Sequence, residues 1–279
     1  MRRAETIRIA ILDMYEGTLN EGMRGIKQII EEFEAVFHMP VRYDIFDVRT
    51  KAEVPDADYD VYISTGGPGS PIDSAGSLWE QRYFELIEAI KSFNHENPTK
   101  QKHVFLVCHS FQVYCRYYGY ALVSRRKSTS FGVMPCHKTD EGLHDPLLRS
   151  LGDPFWVVDS RDYQITQPDM EKIEQGGGKM LCIEKVRPHV DLERAVMGIR
   201  FDDAFFGTQF HPEADSIGMR MYLLRQDKKE LVIGKYGEKK YWEMLDHLND
   251  PDKIMMTHNA IIPRFLMMAL RHKLTTVAS

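Results

Sequence analysis

The fold is decided by the stretch Leu106-Val107-Cys108-His109-Ser110-Phe111-Gln112. The apolar run that ends at Val107 predicts a buried strand, and a helical pattern begins directly after Cys108. A nucleophile at such a junction lies on a sharp strand-to-helix elbow above the edge of a sheet. The positive end of the helix dipole favours a thiolate there. Cys108 alone is equally compatible with a cysteine that only packs in the core, as Cys115 on the same helix face is expected to do.

Strand and helix patterns alternate through the first part of the chain. The predicted strands are Ile7–Leu12, Val41–Phe46, Tyr59–Ser64 and His103–Val107, and the predicted helices are Leu19–Phe37 and Leu78–Phe93. Repeated strand–helix–strand order predicts an α/β fold of three layers, in which helices flank both faces of a mixed, mostly parallel sheet.

The pattern changes to short strands between Tyr120 and Phe210. The β-rich pieces are Ala121–Ser124, Ser130–Met134, Phe155–Val158, Met180–Val186, Ala195–Phe201 and Phe205–Phe210. Asp145-Pro146 is typical of a helix start, and Gly176-Gly177-Gly178 is interpreted as a flexible hairpin. This part of the chain is expected to add antiparallel strands to the parallel core.

The chain from Asp215 onward has helical patterns. Asn249-Asp250-Pro251 is expected to begin the last helix, and Pro263 is expected to kink or split it. We therefore predict one α/β domain over residues 1–226 and a C-terminal helical extension, residues 227–279, that packs on the same domain.

A glycine-rich loop follows the third predicted strand. In Gly66-Gly67-Pro68-Gly69-Ser70-Pro71, glycines allow a ligand to approach bare backbone N–H groups, and the prolines stiffen the loop. Such a loop can present an amide donor to a developing oxyanion. A simple tight turn between a strand and a helix is the competing interpretation.

A histidine and a glutamate follow the last predicted strand, in Gly207-Thr208-Gln209-Phe210-His211-Pro212-Glu213. A carboxylate near the ring can accept one N–H of His211 and leave the other nitrogen free to serve a thiol. A strand-end histidine and a helix-capping glutamate would produce the same pattern. The loop, the elbow and this segment all follow strands, so we expect them to meet at one edge of the sheet.

These three motifs together resemble the class I (triad) glutamine amidotransferase family, including the amidotransferase domain of GMP synthase. The resemblance covers roughly residues 7–226. Gly66–Pro71 matches the family's Gly-Gly-Pro-x-x-Pro loop, and Gln209–Glu213 matches its Gln-Phe-His-Pro-Glu motif. At the elbow, Cys108 and Gln112 match, whereas Leu106 and Ser110 stand where the family has glycines.

The resemblance implies a flavodoxin-like fold with a mixed seven-stranded sheet, and it implies roles for eight residues. Neither a metal nor an organic cofactor is implied. The implied site comprises the catalytic residues Cys108, His211 and Glu213, the oxyanion-hole N–H groups of Gly67 and His109, and the substrate-binding residues Gln112, Ser160 and Arg161. At Ser160 and Arg161, the segment Asp159–Asp162 departs from the side chains that the family usually has there.

Three functions remain open at this stage. The first is a glutaminase that passes ammonia to a separate synthetase subunit, with glutamine as the substrate. The second is a stand-alone hydrolase or transferase for another γ-glutamyl or acyl compound, which the departures at the elbow and at 159–162 favour. The third is a non-catalytic relative. The C-terminal helices could also form a homodimer surface through Met255, Met256, Met267 and Met268.

Composition excludes several classes of protein. Apolar residues make up 43% of the chain, charged residues 28%, and the net charge is −5, so no nucleic-acid partner is expected. No apolar run predicts a signal peptide or a membrane span, which makes a cytoplasmic location the expectation. The four cysteines include no CxxC pair, and the group Cys136, His137 and His144 lacks a fourth ligand for zinc.

Overall fold

The computed structural model describes residues 6–189, 191–250 and 252–277. The first part alternates strands and helices, as the sequence predicts. Its elements are β1 (Ile7–Asp13), α1 (Glu21–Phe37), β2 (Val41–Asp47), α2 (Val48–Lys51), β3 (Val61–Ser64), α3 (Leu78–Glu96), β4 (His103–Val107) and α4 (His109–Tyr118). Helix α1 begins where the Asn20 side chain accepts a hydrogen bond from the Gly22 N–H, which caps the helix.

The middle of the chain contains the remaining strands. They are β5 (Leu122–Lys138), β6 (Phe155–Thr166), β7 (Lys179–Glu184), β8 (Val196–Arg200) and β9 (Phe205–Thr208), with the short helices α5 (Asp140–His144) and α6 (Met170–Gln175) between them. Six helices follow, namely α7 (Ser216–Leu224), α8 (Gln226–Tyr236), α9 (Glu238–Leu248), α10 (Ile254–His258), α11 (Ile261–Ala269) and α12 (Arg271–Val277).

One mixed sheet forms the centre of the molecule. Its strand order is β2-β1-β3-β4-β9-β8-β7-β5-β6, and β2, β1, β3, β4 and β9 run parallel to one another. Antiparallel pairing attaches β8 to β9 and then β7, β5 and β6 in turn. The predicted α/β fold with a mixed sheet flanked by helices is therefore confirmed.

The implied number of seven strands is wrong, because the described residues form a nine-stranded sheet. Apart from Ala121, the two predicted pieces Ala121–Ser124 and Ser130–Met134 lie within one 17-residue strand, β5. An irregularity between Arg125 and Ser130 interrupts its pairing with β6, and this explains why the sequence pattern breaks there.

Two apolar clusters cover the two faces of the sheet and create the three layers. On one face, Ile26 and Phe33 of α1 and Phe265 of α11 pack against β1 and β4. On the other face, α3 and α4 pack through Tyr83, Ile87 and Phe111, among others. A third cluster joins α7, α8, α9 and α10 to strands β5 and β6. The division at residue 226 stays a prediction.

The helix predicted to start at Asp145-Pro146 is wrong. Helix α5 instead ends at His144 and begins after Thr139, whose hydroxyl accepts the Gly142 N–H. Asp145 is buried and its carboxylate accepts two hydrogen bonds from Arg200, at 2.7 and 2.9 Å. The Asp145 carboxylate also accepts the Leu147 N–H at 2.9 Å, so the predicted start chemistry is present, but residues 146–150 form hydrogen-bonded turns and no helix.

Two further local predictions need correction. The three glycines at 176–178 do not form a hairpin between strands, because they follow helix α6 and lead into β7. The last helical segment is split, but at Asn259 and Leu270 and not at Pro263. Pro263 lies in the first turn of α11, where its missing N–H interrupts no intrahelical bond. Pro251 lies outside the described residues.

The sequence predicts no membrane-spanning segment, and the length and hydropathy of the helices test this prediction. Among the residues at 6–189, 191–250 and 252–277, no helix is both long enough and apolar enough to cross a bilayer.

A buried charge cluster stabilises the antiparallel half of the sheet. Glu184 of β7 accepts hydrogen bonds from Arg126 at 3.0 Å and from Arg161 at 3.2 Å, and it pairs with Arg187 at 3.0 Å. Arg161 also binds Asp159 at 2.8 Å. Burial raises the pKa of Asp159, but the Arg161 charge outweighs that effect and holds the pKa below its usual value.

Replacement of Glu184 by alanine is expected to lower the free energy of unfolding by about 3–5 kcal/mol, because three guanidinium groups lose their shared anion. Urea denaturation measures the loss. The matched control is Glu141→Ala, which removes a half-exposed pair with Lys179 and is expected to cost less than about 1 kcal/mol. Equal losses in the two variants would contradict a structural role for the cluster.

Candidate active site

Cys108 lies between β4 and α4 in a strained backbone conformation. Its φ is 45° and its ψ is −94°, in a region that favours glycine and is rare for a residue with a Cβ atom. The Cys108 N–H donates to the Thr208 carbonyl of β9 at 2.7 Å, and its own carbonyl accepts the Gln112 N–H at 2.9 Å. The structure therefore has the sharp elbow that the sequence predicts, with both main-chain groups of Cys108 held.

The two departures from the elbow pattern are both accommodated. The Ser110 hydroxyl accepts the Val107 N–H at 2.9 Å and lies 2.9 Å from the Ser64 carbonyl, so it bridges β3 and the elbow from below. Leu106 is fully buried in the apolar cluster under α4 and is paired with Gly207 of β9. Neither side chain obstructs the approach to Cys108.

His211 and Glu213 form a close pair beyond the end of β9. The Nδ1 atom of His211 lies 2.7 Å from Oε1 of Glu213, and Glu213 is fully buried. The His211 N–H also donates to the Val158 carbonyl of β6 at 2.9 Å. Because a carboxylate only accepts, Nδ1 carries the hydrogen, and Nε2 is left for another partner.

The charges around His211 determine its protonation. Burial lowers the pKa of His211, but the neighbouring Glu213 carboxylate and Cys108 thiol outweigh burial and raise the pKa well above 6.5. The contribution of Cys108 agrees with the packing around Gly66. A methyl group at Gly66 would lie 2.8 Å from Cε1 of His211 and 3.6 Å from Cβ of Cys108. The thiol and the imidazole are therefore neighbours beneath the same loop.

The glycine-rich loop is packed tightly enough to require glycine. A Cβ atom at Gly67 would lie 2.2 Å from the Met14 carbonyl oxygen, which no side-chain rotation can relieve. Arg49 fixes the loop by donating to the Pro68 carbonyl and, at 3.2 Å, to the Met14 carbonyl. The backbone of the loop thus lies next to the elbow and is held there by close packing and by the Arg49 side chain.

His109 is the first residue of α4, so its N–H has no partner within the helix. Its side chain cannot replace His211, because burial lowers the pKa of the His109 imidazole to about 3 and keeps it neutral. The predicted oxyanion donors Gly67 and His109 therefore lie on the two segments that flank Cys108, the loop after β3 and the start of α4.

The predicted substrate-binding residues differ in what they can offer. Gln112 is buried, and its Nε2 has no partner among the described residues. The Ser160 carbonyl lies 4.0 Å from Sγ of Cys108, whereas the Arg161 side chain is committed to Asp159 and Glu184. Any contribution of Arg161 to ligand binding would therefore come from its main chain, whereas Ser160 is exposed and offers its carbonyl near the thiol.

Two residues near the site have no role in the sequence-based prediction. Gln209 is fully buried, and its Nε2 lies 3.8 Å from Sγ of Cys108. Tyr15 follows β1 at the same edge of the sheet, and burial together with the charge of Glu213 raises the pKa of its hydroxyl far above the usual range. Both positions follow strands, which is the pattern that could have revealed them.

Cys136, His137 and His144 are the residues closest to a metal-ligand pattern in the sequence. In the part of the chain that the structure describes, no group of three or more His, Cys, Asp or Glu side chains is arranged to hold a metal ion.

The geometry predicts that His211 titrates above the ordinary value for histidine. Replacement of Glu213 by glutamine removes the negative charge that raises the pKa, so the pKa of His211 is expected to fall in that variant. Nitrogen NMR of labelled histidine, assigned with His211→Ala, measures both values. The conclusion is contradicted if His211 titrates at or below 6.5 in the unmodified protein.

Comparisons with known proteins identify the family and the fold. A family model described as "Glutamine amidotransferase class-I" matches residues 25–231. No curated protein sequence matches the chain at a significant level.

Three solved structures are similar in fold. A glutamine amidotransferase from Thermotoga maritima has a TM-score of 0.66 at 16% identity, covering 94% of this chain and 98% of its own. A glutamine amidotransferase from Methylobacillus flagellatus has a TM-score of 0.60 at 16% identity, with 96% and 94% covered. The glutaminase domain of Trypanosoma brucei CTPS, solved with bound acivicin, has a TM-score of 0.55 at 15% identity, with 76% and 88% covered.

Proposed function

The chain belongs to the class-I glutamine amidotransferase family, and we propose that it hydrolyses the side-chain amide of glutamine to glutamate and ammonia. One observation carries the proposal. A strained cysteine at an elbow lies beside a histidine that is paired with a buried glutamate, and the two segments come from neighbouring parallel strands. A core cysteine requires neither the strain nor the pair.

In the proposed reaction, the Cys108 thiolate attacks the side-chain amide carbon of glutamine. The carbonyl electron pair moves to oxygen, where the N–H groups of Gly67 and His109 stabilise the oxyanion. The oxyanion then collapses, the C–N bond breaks, and His211 transfers its proton to the leaving nitrogen, which departs as ammonia. A γ-glutamyl thioester on Cys108 remains.

Water completes the cycle. His211 takes a proton from the water molecule that attacks the thioester, the C–S bond breaks, and glutamate leaves while the thiolate is restored. Throughout, Glu213 accepts the Nδ1–H of His211 at 2.7 Å and stabilises the imidazolium form. The raised pKa of His211 supports this role, because the protonated ring needed for the first step persists at neutral pH.

Cys108→Ala is expected to reduce glutamine hydrolysis by at least about a thousandfold while the fold is retained, since the covalent route is lost. Release of glutamate and ammonia by the purified chain measures the rate. Cys115→Ala is the matched control, because Cys115 lies on the same helix, is fully buried, and has a thiol pKa that burial raises far above the usual range. We expect this variant to keep its activity.

Two other outcomes of this assay are informative. Activity that survives in Cys108→Ala would contradict covalent catalysis by this residue. If the unmodified chain releases nothing, a panel of γ-glutamyl and acyl compounds, with mass spectrometry of the Cys108 adduct, tests the alternative substrates. A chain that forms no adduct with any of them, either alone or in the presence of an acceptor enzyme, would be a non-catalytic relative.

We further propose that the ammonia passes to a separate acceptor enzyme. Exposed apolar side chains support this, because Leu19 lies two residues before α1, and Ile217, Met221 and Leu224 form a stripe on one face of α7. Helix α7 begins three residues after Glu213, so the stripe starts close to the site. Apolar groups exposed together are typical of contact surfaces.

Met221→Asp distinguishes the acceptor from a homodimer. Because the stripe is free in an isolated chain, the substitution is expected to leave both the elution volume and the rate of glutamine hydrolysis unchanged. Size-exclusion chromatography measures the first and the glutamate assay the second. A change from dimer to monomer in this variant would identify the stripe as a homodimer contact and count against the acceptor.

A further inference from the structure

His258, the last residue of α10, reaches the main chain of Glu213. Its Nδ1 atom lies 3.2 Å from the Glu213 carbonyl oxygen, and the side chain is 1% exposed. A carbonyl only accepts, so Nδ1 carries the hydrogen and donates it. The Nε2 atom has no partner among the described residues, so the Nδ1 bond is the polar contact that orients the ring.

Helix α1 confines the same carbonyl from another side. A Cβ atom at Gly25 would lie 2.1 Å from the Glu213 carbonyl oxygen, which means that the helix backbone approaches it as closely as glycine permits. The Glu213 main chain is therefore packed against α1 and bonded to α10. A shift of Glu213 towards α1 is excluded sterically, and a shift away from α10 breaks the His258 bond.

Thr257, the neighbour of His258 in α10, connects this helix to strand β6. The Thr257 hydroxyl donates to the Trp156 carbonyl, while the Val158 carbonyl of the same strand accepts the His211 N–H at 2.9 Å. Helix α10, strand β6 and the segment from His211 to Glu213 thus form a closed ring of hydrogen bonds. Position and orientation of the histidine–glutamate pair depend on all three elements.

We propose that His258 is a positioning residue for the catalytic triad, holding the Glu213 main chain so that its carboxylate meets His211. The inference rests on the proposed function, and it makes the C-terminal helices part of the framework of the site. His258 lies beyond the residues 25–231 that the family model matches, so family membership does not assign it this role.

Two substitutions of His258 distinguish the role of Nδ1 from that of Nε2. In His258→Asn the amide nitrogen can occupy the place of Nδ1 and donate to Glu213, whereas in His258→Gln it reaches the place of Nε2 and leaves the carbonyl without its donor. His247→Leu is the control, because it removes a histidine of α9 that contacts Trp156 edge-on without touching the triad.

All variants are compared as full chains in three measurements. These are kcat and KM for glutamine, the NMR titration of His211, and the melting temperature. His258→Gln is expected to lower kcat roughly ten- to a hundredfold, as loss of an orienting contact does, and to change KM less than about twofold. The pKa of His211 should fall in the same variant, since the carboxylate that raises it is no longer held.

Recovery by asparagine is the decisive result. We expect His258→Asn and His247→Leu to keep kcat within about threefold of the unmodified protein and to leave the His211 titration in place. The proposal is overturned if His258→Gln behaves like the unmodified protein. It is equally overturned if asparagine and glutamine cause equal losses that follow a lower melting temperature, because that pattern shows a packing role alone.

The design also separates this inference from the proposed function. An unmodified chain that hydrolyses no glutamine contradicts the proposed function, but the His211 titration needs no substrate. A lower His211 pKa in His258→Gln that asparagine restores then still supports the positioning role, and an unchanged pKa overturns it.

Discussion

The parallel pairing of β4 with β9 is the contact on which the site depends. It aligns Val107 with Thr208 and gives the Cys108 N–H its acceptor, the Thr208 carbonyl. Gln209 and Cys108 are 101 residues apart in sequence, yet this register brings the elbow and the histidine segment together at one edge. Open α/β sheets place their sites at the carboxyl ends of strands because the connecting segments diverge there. The insertion of β5 to β8 between the two segments leaves that edge intact.

Strand β6 of the antiparallel half of the sheet contacts the site through its main chain. Asp159 and Arg161 flank Ser160 and are locked into the charge cluster around Glu184, which fixes the Ser160 carbonyl near the thiol. Strand β6 also supplies the Val158 carbonyl for His211. Strand β6 therefore carries two residues of the charge cluster and also supplies the carbonyls that lie next to Cys108 and His211, so the stability of this half of the sheet and the geometry of the site are not independent.

Sequence reasoning recovers those features that depend on local pattern. The first four strands, the elbow at Cys108 and the position of the His211 segment follow from apolar periodicity and from residues with special backbone preferences. It fails where a distant partner decides the outcome. Arg200 of β8 binds the Asp145 carboxylate although 55 residues separate the two, and no local pattern shows this contact. Gln209 and His258 acquire their contacts only through tertiary packing, and no spacing in the sequence relates His258 to Glu213.

The positive φ of Cys108 has an evolutionary consequence. At this backbone conformation glycine is the relaxed residue, and a side chain of any kind is a burden on folding. The substitution that best relieves the strain is therefore also one that removes the sulfur. Stability alone therefore gives no reason to keep a side chain at this position, and a protein that keeps cysteine here retains a less stable backbone in exchange for the chemistry of the thiol.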